Sequence, residues 1–124
     1  MITITQKGSF DNTEKYLSRL QRTQLDSILN KYGNLGVAAL SNATPTDSGL
    51  TAASWYYSVV KRRGYYSIRW HNSHIEDGRP IAILLQYGHG TRNGGYVQGR
   101  DYIMPAIRPL FDQMANEAWR EVTK

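Results

Sequence analysis

The sequence predicts an α+β fold, a small antiparallel β-sheet (central hairpin 54–71) packed against a long N-terminal helix and a C-terminal helix. Three observations carry this expectation. Apolar residues recur at three- and four-residue spacing over 12–43 and again from Ile107 to Val122, as on one face of a helix. Between Trp55 and Trp70 the period falls to two, the mark of strands with one buried face. The order helix, hairpin, short element, long loop, helix sets helices against one face of an antiparallel sheet. A chain of 124 residues has the length for a single domain, 1–124, with one core.

In the first helix the stripe is Leu17, Leu20, Leu25, Ile28, Leu29, Tyr32, Leu35, Ala39 and Leu40, and Asp11 or Asn12 stands where a cap accepts the free first-turn amides. Gly33 and Gly36 each weaken a helix by about 1 kcal/mol relative to alanine. They therefore predict either a break or the close approach of another backbone. Pro45 ends the segment, because the residue before a proline is pushed out of the helical region. The turn formers ATPTDSGL, 43–50, follow.

In the hairpin Trp55, Tyr57 and Val59 share one face and Tyr56, Ser58 and Val60 the other. Tyr66, Ile68 and Trp70 repeat the pattern beyond the tip Lys61-Arg62-Arg63-Gly64. Residues 72–80 read as a polar connection, and Ile81–Tyr87 as a short apolar run whose type periodicity cannot decide. Five glycines then punctuate 88–101, which reads as an extended loop or arm. The last helix carries Ile107, Leu110, Phe111, Met114, Ala115, Ala118, Trp119 and Val122, with Pro109 expected in its first turn and Asp101 as a capping candidate.

Composition narrows the function classes. The absence of cysteine excludes disulfide scaffolds, thiolate zinc sites and cysteine nucleophiles. No run of about 18 apolar residues exists, so no membrane span is expected. MITITQKGSF lacks the charged-then-apolar order of a secretory signal, which leads us to expect a protein that stays in the cytosol where it is made. A net charge of +5 is compatible with nucleic acid or an acidic partner.

Motifs for catalysis do not assemble. A phosphate loop needs a lysine and a following helix, and 88–99 offers neither; Gly88-His89-Gly90 supplies only half of a dinucleotide fingerprint. His71, His74, Glu76 and Asp77 invite a metal, but they sit in a polar turn without the spacing of a zinc helix. His89 has no serine or acid beside it in a recognised pattern, which leaves a hydrolase without partner residues. The expectation is a protein that is not an enzyme, with no cofactor, no metal and no small-molecule substrate.

Two stretches remain as binding candidates. Gly88, His89, Thr91, Arg92, Tyr96, Val97 and Arg100 of the glycine-rich stretch are candidate subunit contacts. Lys61, Arg62 and Arg63 are candidate contacts to DNA or an acidic partner, and the hairpin aromatics can stack bases or form a protein interface.

Three segments in order resemble the head–tail joining proteins of tailed bacteriophages, also called neck or tail completion proteins. Ala43-Thr44-Pro45-Thr46-Asp47-Ser48-Gly49-Leu50 is similar to that family's A-P-x-D-T-G-x-L turn. Gln86-Tyr87-Gly88-His89-Gly90-Thr91 is similar to its E-[FY]-G-T element, with Gln86 where an acid is usual. Arg100-Asp101-Tyr102-Ile103-Met104-Pro105-Ala106 resembles its P-F-[IL]-x-P-A lead into the last helix. The resemblance implies a structural virion protein at the top of the tail, made in the host cytoplasm. It would form a homo-oligomeric ring, a hexamer in expectation, between head connector or adaptor proteins and the tail terminator or tail tube protein, with DNA in the channel. A small basic nucleic-acid-binding module is the alternative.

Overall fold

A computed structural model describes residues 2–9, 19–45, 49–62, 65–91 and 93–123. Its centre is a three-stranded antiparallel sheet of β1 (Ile2–Ser9), β2 (Trp55–Arg62) and β3 (Tyr65–Asn72), in the order β1-β3-β2. Both outer strands run antiparallel to β3 and hence parallel to each other. The helix α1 (Arg19–Ala43) joins them across one face, and the later β3 fills the gap, a split βαβ arrangement. The helices and sheet bear out the α+β expectation.

The N-terminal strand was not anticipated. Its Ile-Thr-Ile-Thr alternation is a period-two signal in β-branched residues, too short to announce a partner strand as distant as Arg69–Asn72. The helical pattern expected from residue 12 is observed from Arg19; 12–18 and the caps Asp11 and Asn12 lie outside the described residues.

One face of the sheet makes the core with α1. Trp70, Ile68 and Tyr66 of the central strand are buried with Trp55 of β2, and Tyr57 and Val59 pack beside them. From α1 come Leu25, Leu29, Tyr32 and Leu40. Full burial of a leucine side chain contributes about 1.5–3 kcal/mol. Leu35, expected in this stripe, is instead 42% exposed, because it lies one residue off the face that meets the sheet at Gly36.

The two helix glycines are neither a break nor a backbone contact. A Cβ at Gly33 would overlap the Tyr57 ring and one at Gly36 the Trp70 indole. The notch lets two large sheet side chains reach the helix axis, and the helix runs through it unbroken. Trp70 Nε1 donates to the carbonyl of Gly33 at 3.1 Å, so its buried N–H is satisfied. The helix ends before Pro45 as expected. Thr44 donates both its amide and hydroxyl to the Leu40 carbonyl, and its hydroxyl oxygen accepts from Trp55 Nε1 at 2.8 Å.

The long helix α3 (Ile103–Val122) lies along α1 and buries Ile103, Ile107, Met114 and Val122. It begins ahead of the expected start, so Pro105 occupies the first turn and Pro109 is inside the helix. Pro109 has no N–H for the Pro105 carbonyl, a cost the surrounding packing carries. Trp119, expected on the apolar stripe, is 63% exposed. A polar link closes the two helices: the Tyr32 hydroxyl and Lys31 Nζ both donate to Glu117, the lysine at 3.0 Å.

The polar connection 72–80 contains a miniature hairpin, β4 (Ile75–Glu76) and β5 (Arg79–Pro80). Asp77 and Gly78 have φ of 51° and 73°, the doubly positive pair of a type I′ turn. The undecided run 81–87 is the short helix α2 (Ile81–Tyr87). Among the described residues no helix is long and apolar enough to cross a membrane.

Candidate functional site: a glycine-rich aromatic hairpin

The stretch expected as an extended loop or arm contains a short hairpin, β6 (Gly88–Gly90) paired with β7 (Tyr96–Gln98). Gly88 faces Gln98, His89 faces Val97, and Gly90 faces Tyr96. Two glycines make the path possible. Gly88 caps α2 with φ 83°, and a Cβ there would also strike the Tyr96 hydroxyl and the Val97 carbonyl. Gly94 turns the tip with φ 78°. Thr91 closes that tip: its N–H donates to Gly95 O at 2.9 Å, its carbonyl accepts from Gly94 N, and its hydroxyl oxygen accepts from Gly95 N at 3.0 Å.

The base of the hairpin is clamped. Arg100 N donates to Leu85 O at 2.9 Å, and the Tyr96 hydroxyl donates to Tyr87 O at 3.0 Å. Gln86 is the hub. Its Oε1 accepts from the main-chain N–H groups of Tyr102 and Ile103, both at 3.0 Å, and its Nε2 donates to Asp101 Oδ1 at 2.7 Å. The free amides at the start of α3 are thus capped by a side chain from another element. Asp101, the capping candidate, holds the cap rather than supplying it. The buried Tyr102 hydroxyl donates to Ala82 O at 2.8 Å, tying α3 to α2; burial pushes its pKa up to about 12.

On this rigid base stand exposed apolar groups. Tyr87 is 70% exposed, Tyr96 67% and Val97 46%. The structure thus brings Gly88, His89, Thr91, Tyr96 and Val97 into one hairpin, with Arg100 exposed at its foot. Arg92 lies outside the described residues. Tyr87, absent from the sequence candidates, is the most exposed large apolar residue among those described, and Gln86 organises the base. The signal that could have found both is the segment Gln86-Tyr87-Gly88-His89-Gly90-Thr91, in which they open the stretch similar to an E-[FY]-G-T element. Arg100 and Asp101 also line a shallow cavity of about 520 Å³ with Asn42, Thr44 and Pro105, between the end of α1 and the start of α3.

The other sequence candidates separate. Lys61 points to the core side of the sheet and pairs with Asp26 of α1 at 2.9 Å, while Arg62 is exposed and Arg63 lies outside the described residues. The histidines part as well. His74 is held by the Thr51 hydroxyl at 2.6 Å on Nδ1 and by Glu76 at 2.9 Å on Nε2, inside a network in which buried Asn72 donates to Thr51 O and accepts from His74 N. His71 points to the other side of the sheet, against Tyr56 and the Ser58 hydroxyl. Among the described residues no three His, Asp or Glu side chains converge as metal ligands.

A projection that exposes Tyr87 and Tyr96 on a hydrogen-bonded base is suited to docking, since Tyr rings bury large area at low entropy cost. No protein-family model, curated protein or solved structure matches this chain.

Proposed function

We propose that this chain is a non-catalytic structural protein that works by assembly, as a ring-forming component of a phage head–tail junction. The observation that carries the assembly part is the hairpin: Tyr87 and Tyr96, 70% and 67% exposed, are locked to each other by the hydroxyl–carbonyl bond and to α3 through Gln86. Each tyrosine can bury on the order of 200 Å² against a neighbour. A ring of identical subunits needs heterologous contacts, one patch meeting a different patch on the next copy. In this reading the hairpin is the inserted patch. The placement at the neck, between connector and tail terminator or tail tube, rests on the three sequence segments that resemble the head–tail joining family.

Mass photometry of the purified chain, alone and with connector and tail-tube proteins, tests it. The expected result is a discrete ring-sized species that Tyr87→Ser, which keeps the Tyr87 carbonyl and its bond from Tyr96, converts to monomer without lowering the melting temperature. A chain that stays monomeric with every partner present overturns the reading.

A further inference from the structure

Apart from the contacts of His71 with Tyr56 and Ser58, the second face of the three-stranded sheet has no role in the contacts described so far. α1 covers the opposite face, where Gly33 meets Tyr57 and Gly36 meets Trp70. On the outward side the register sets Tyr56 across from His71 and Ser58 across from Arg69, with Arg62 further along β2.

This face has a one-sided chemistry. The strands β1, β2 and β3 contain no Asp or Glu. Arg62 is exposed, and Arg69 makes no ion pair among the described residues; its Nε is buried without a hydrogen-bond partner. Lys61, the cation that the sequence groups with Arg62, is turned to the other face and neutralised by Asp26. Among the described residues of β2 and β3, the cations without a carboxylate partner, Arg62 and Arg69, thus lie on the outward face and Lys61 does not. Beside it the Tyr56 and His71 rings stack with centroids 4.8 Å apart and planes 23° from parallel, and Tyr56 remains 42% exposed.

Cations without carboxylates select a polyanion. An exposed Tyr56 ring, backed by the half-buried His71, selects one that also carries flat rings, since base–aromatic stacking tolerates any base and a duplex hides its base faces. We propose that this outward sheet face binds single-stranded nucleic acid, with Arg62 and Arg69 on backbone phosphates and the Tyr56–His71 pair as the stacking platform. The surface is separate from the Tyr87–Tyr96 hairpin, and the proposal stands or falls independently of ring assembly.

Fluorescence anisotropy with a labelled oligothymidylate and the full chain tests it. Binding is expected to be saturable and to weaken steeply between about 50 and about 200 mM salt. The double variant Arg62→Ala with Arg69→Gln is expected to reduce the log–log salt slope by about 1.4, from about 0.7 per phosphate contact on a single strand. Tyr56→Ala is expected to weaken binding roughly tenfold. Lys61→Ala is expected to leave affinity unchanged. If Arg69→Gln lowers the melting temperature, Arg62→Ala alone is read, with an expected slope change of about 0.7. Absence of binding at low salt, equal competition by polyglutamate, or a loss with Lys61→Ala as large as with Arg62→Ala overturns the proposal. Tyr56→Ala binding like the parent chain removes the stacking platform and with it the single-strand assignment.

Discussion

The indole Nε1–H of Trp70 donates to the main-chain carbonyl of Gly33, 3.1 Å away in the middle of α1. The bond joins the central strand to the long helix at a point where neither can move independently. It exists because Gly36, one turn on, has no side chain and leaves the indole room to lie against the helix backbone.

Gly36→Ala should therefore destabilise the protein despite alanine's better helix propensity. Propensity gains about 1 kcal/mol, whereas forcing a methyl into a packed aromatic contact costs about 1–3 kcal/mol. A buried Trp70 with no free space to swing into places the cost at the upper end, so a net loss of about 1–2 kcal/mol is expected in urea unfolding. Gly33→Ala should cost less, because Tyr57 is only partly buried and can tilt about its bond to Asn30. Equal or higher stability of Gly36→Ala would show that the indole is not confined.

Gln86 offers a sharper test of the hairpin base. Removing its side chain in Gln86→Ala frees two amides at the start of α3 and should cost about 1–2 kcal/mol, the range of a lost cap. Gln86→Glu keeps the acceptor but loses the donor to Asp101 and sets two carboxylates face to face. It should be less stable than the parent at neutral pH, and Asp101→Asn should restore it. A double variant no better than Gln86→Glu alone would separate the two residues energetically.

These contacts explain which parts of the fold were legible in the sequence. The hairpin faces were readable because Trp55, Tyr57, Val59 and Tyr66, Ile68, Trp70 alternate over enough residues to show a period. The helices were readable for the same reason, at the helical period. Their outliers, Leu35 and Trp119, sit at the edge of the stripe, where periodicity cannot say how far the packing partner reaches. β1 was missed because a strand is recognised by its partner as much as by itself, and β3 is distant in sequence. The hairpin at Asp77-Gly78 lay within the stretch read only as a polar connection, because two-residue strands have no period to flank the turn.

The candidate site was legible only in outline. Gly88 to Arg100 announced itself by glycine content, yet glycine permits many paths, and the hairpin is chosen by Thr91 at the tip and Gln86 at the base. The first is a local bond, the second a tertiary one that no spacing encodes. Lys61 shows the converse: adjacent in sequence to Arg62, it projects from the opposite side of the strand and meets Asp26.

The hairpin glycines should not be equivalent. At Gly94 a Cβ meets nothing, so Gly94→Ala carries only the left-handed backbone cost, about 1–2 kcal/mol. At Gly88 the same cost is joined by collision with the Val97 carbonyl and Gly99 backbone. Gly88→Ala should thus lose clearly more stability and expose the amides at 88–99 to rapid hydrogen exchange. Gly94→Ala should leave the exchange pattern at the base intact. Equal losses from the two variants would mean that the hairpin base tolerates displacement.

Acid should weaken the fold in two successive windows. His71 is held below its ordinary value, first by burial and then by the positive charge of Arg69. The unfolded chain therefore takes up that proton first, so stability is full above about pH 6.5 and declines as pH falls below it. Glu117 is held below the usual carboxylate range, chiefly by the hydroxyl of Tyr32 and the ammonium of Lys31. Its contribution is present above the unfolded value, about 4.3, and is lost as pH falls through the lower folded one. Tyr32 works in the opposite direction, with burial first and Glu117 second pushing it up to about 12. Its share is present below the ordinary tyrosine value of about 10 and is lost as pH rises toward the folded one. Thermal melts across the pH range should show His71→Gln flattening the slope below about pH 6.5, and Tyr32→Phe reducing both the acid loss below about 4.3 and the alkaline loss above about 10. A parent chain whose melting temperature is level from neutrality down to the carboxylate range would remove His71 from this account.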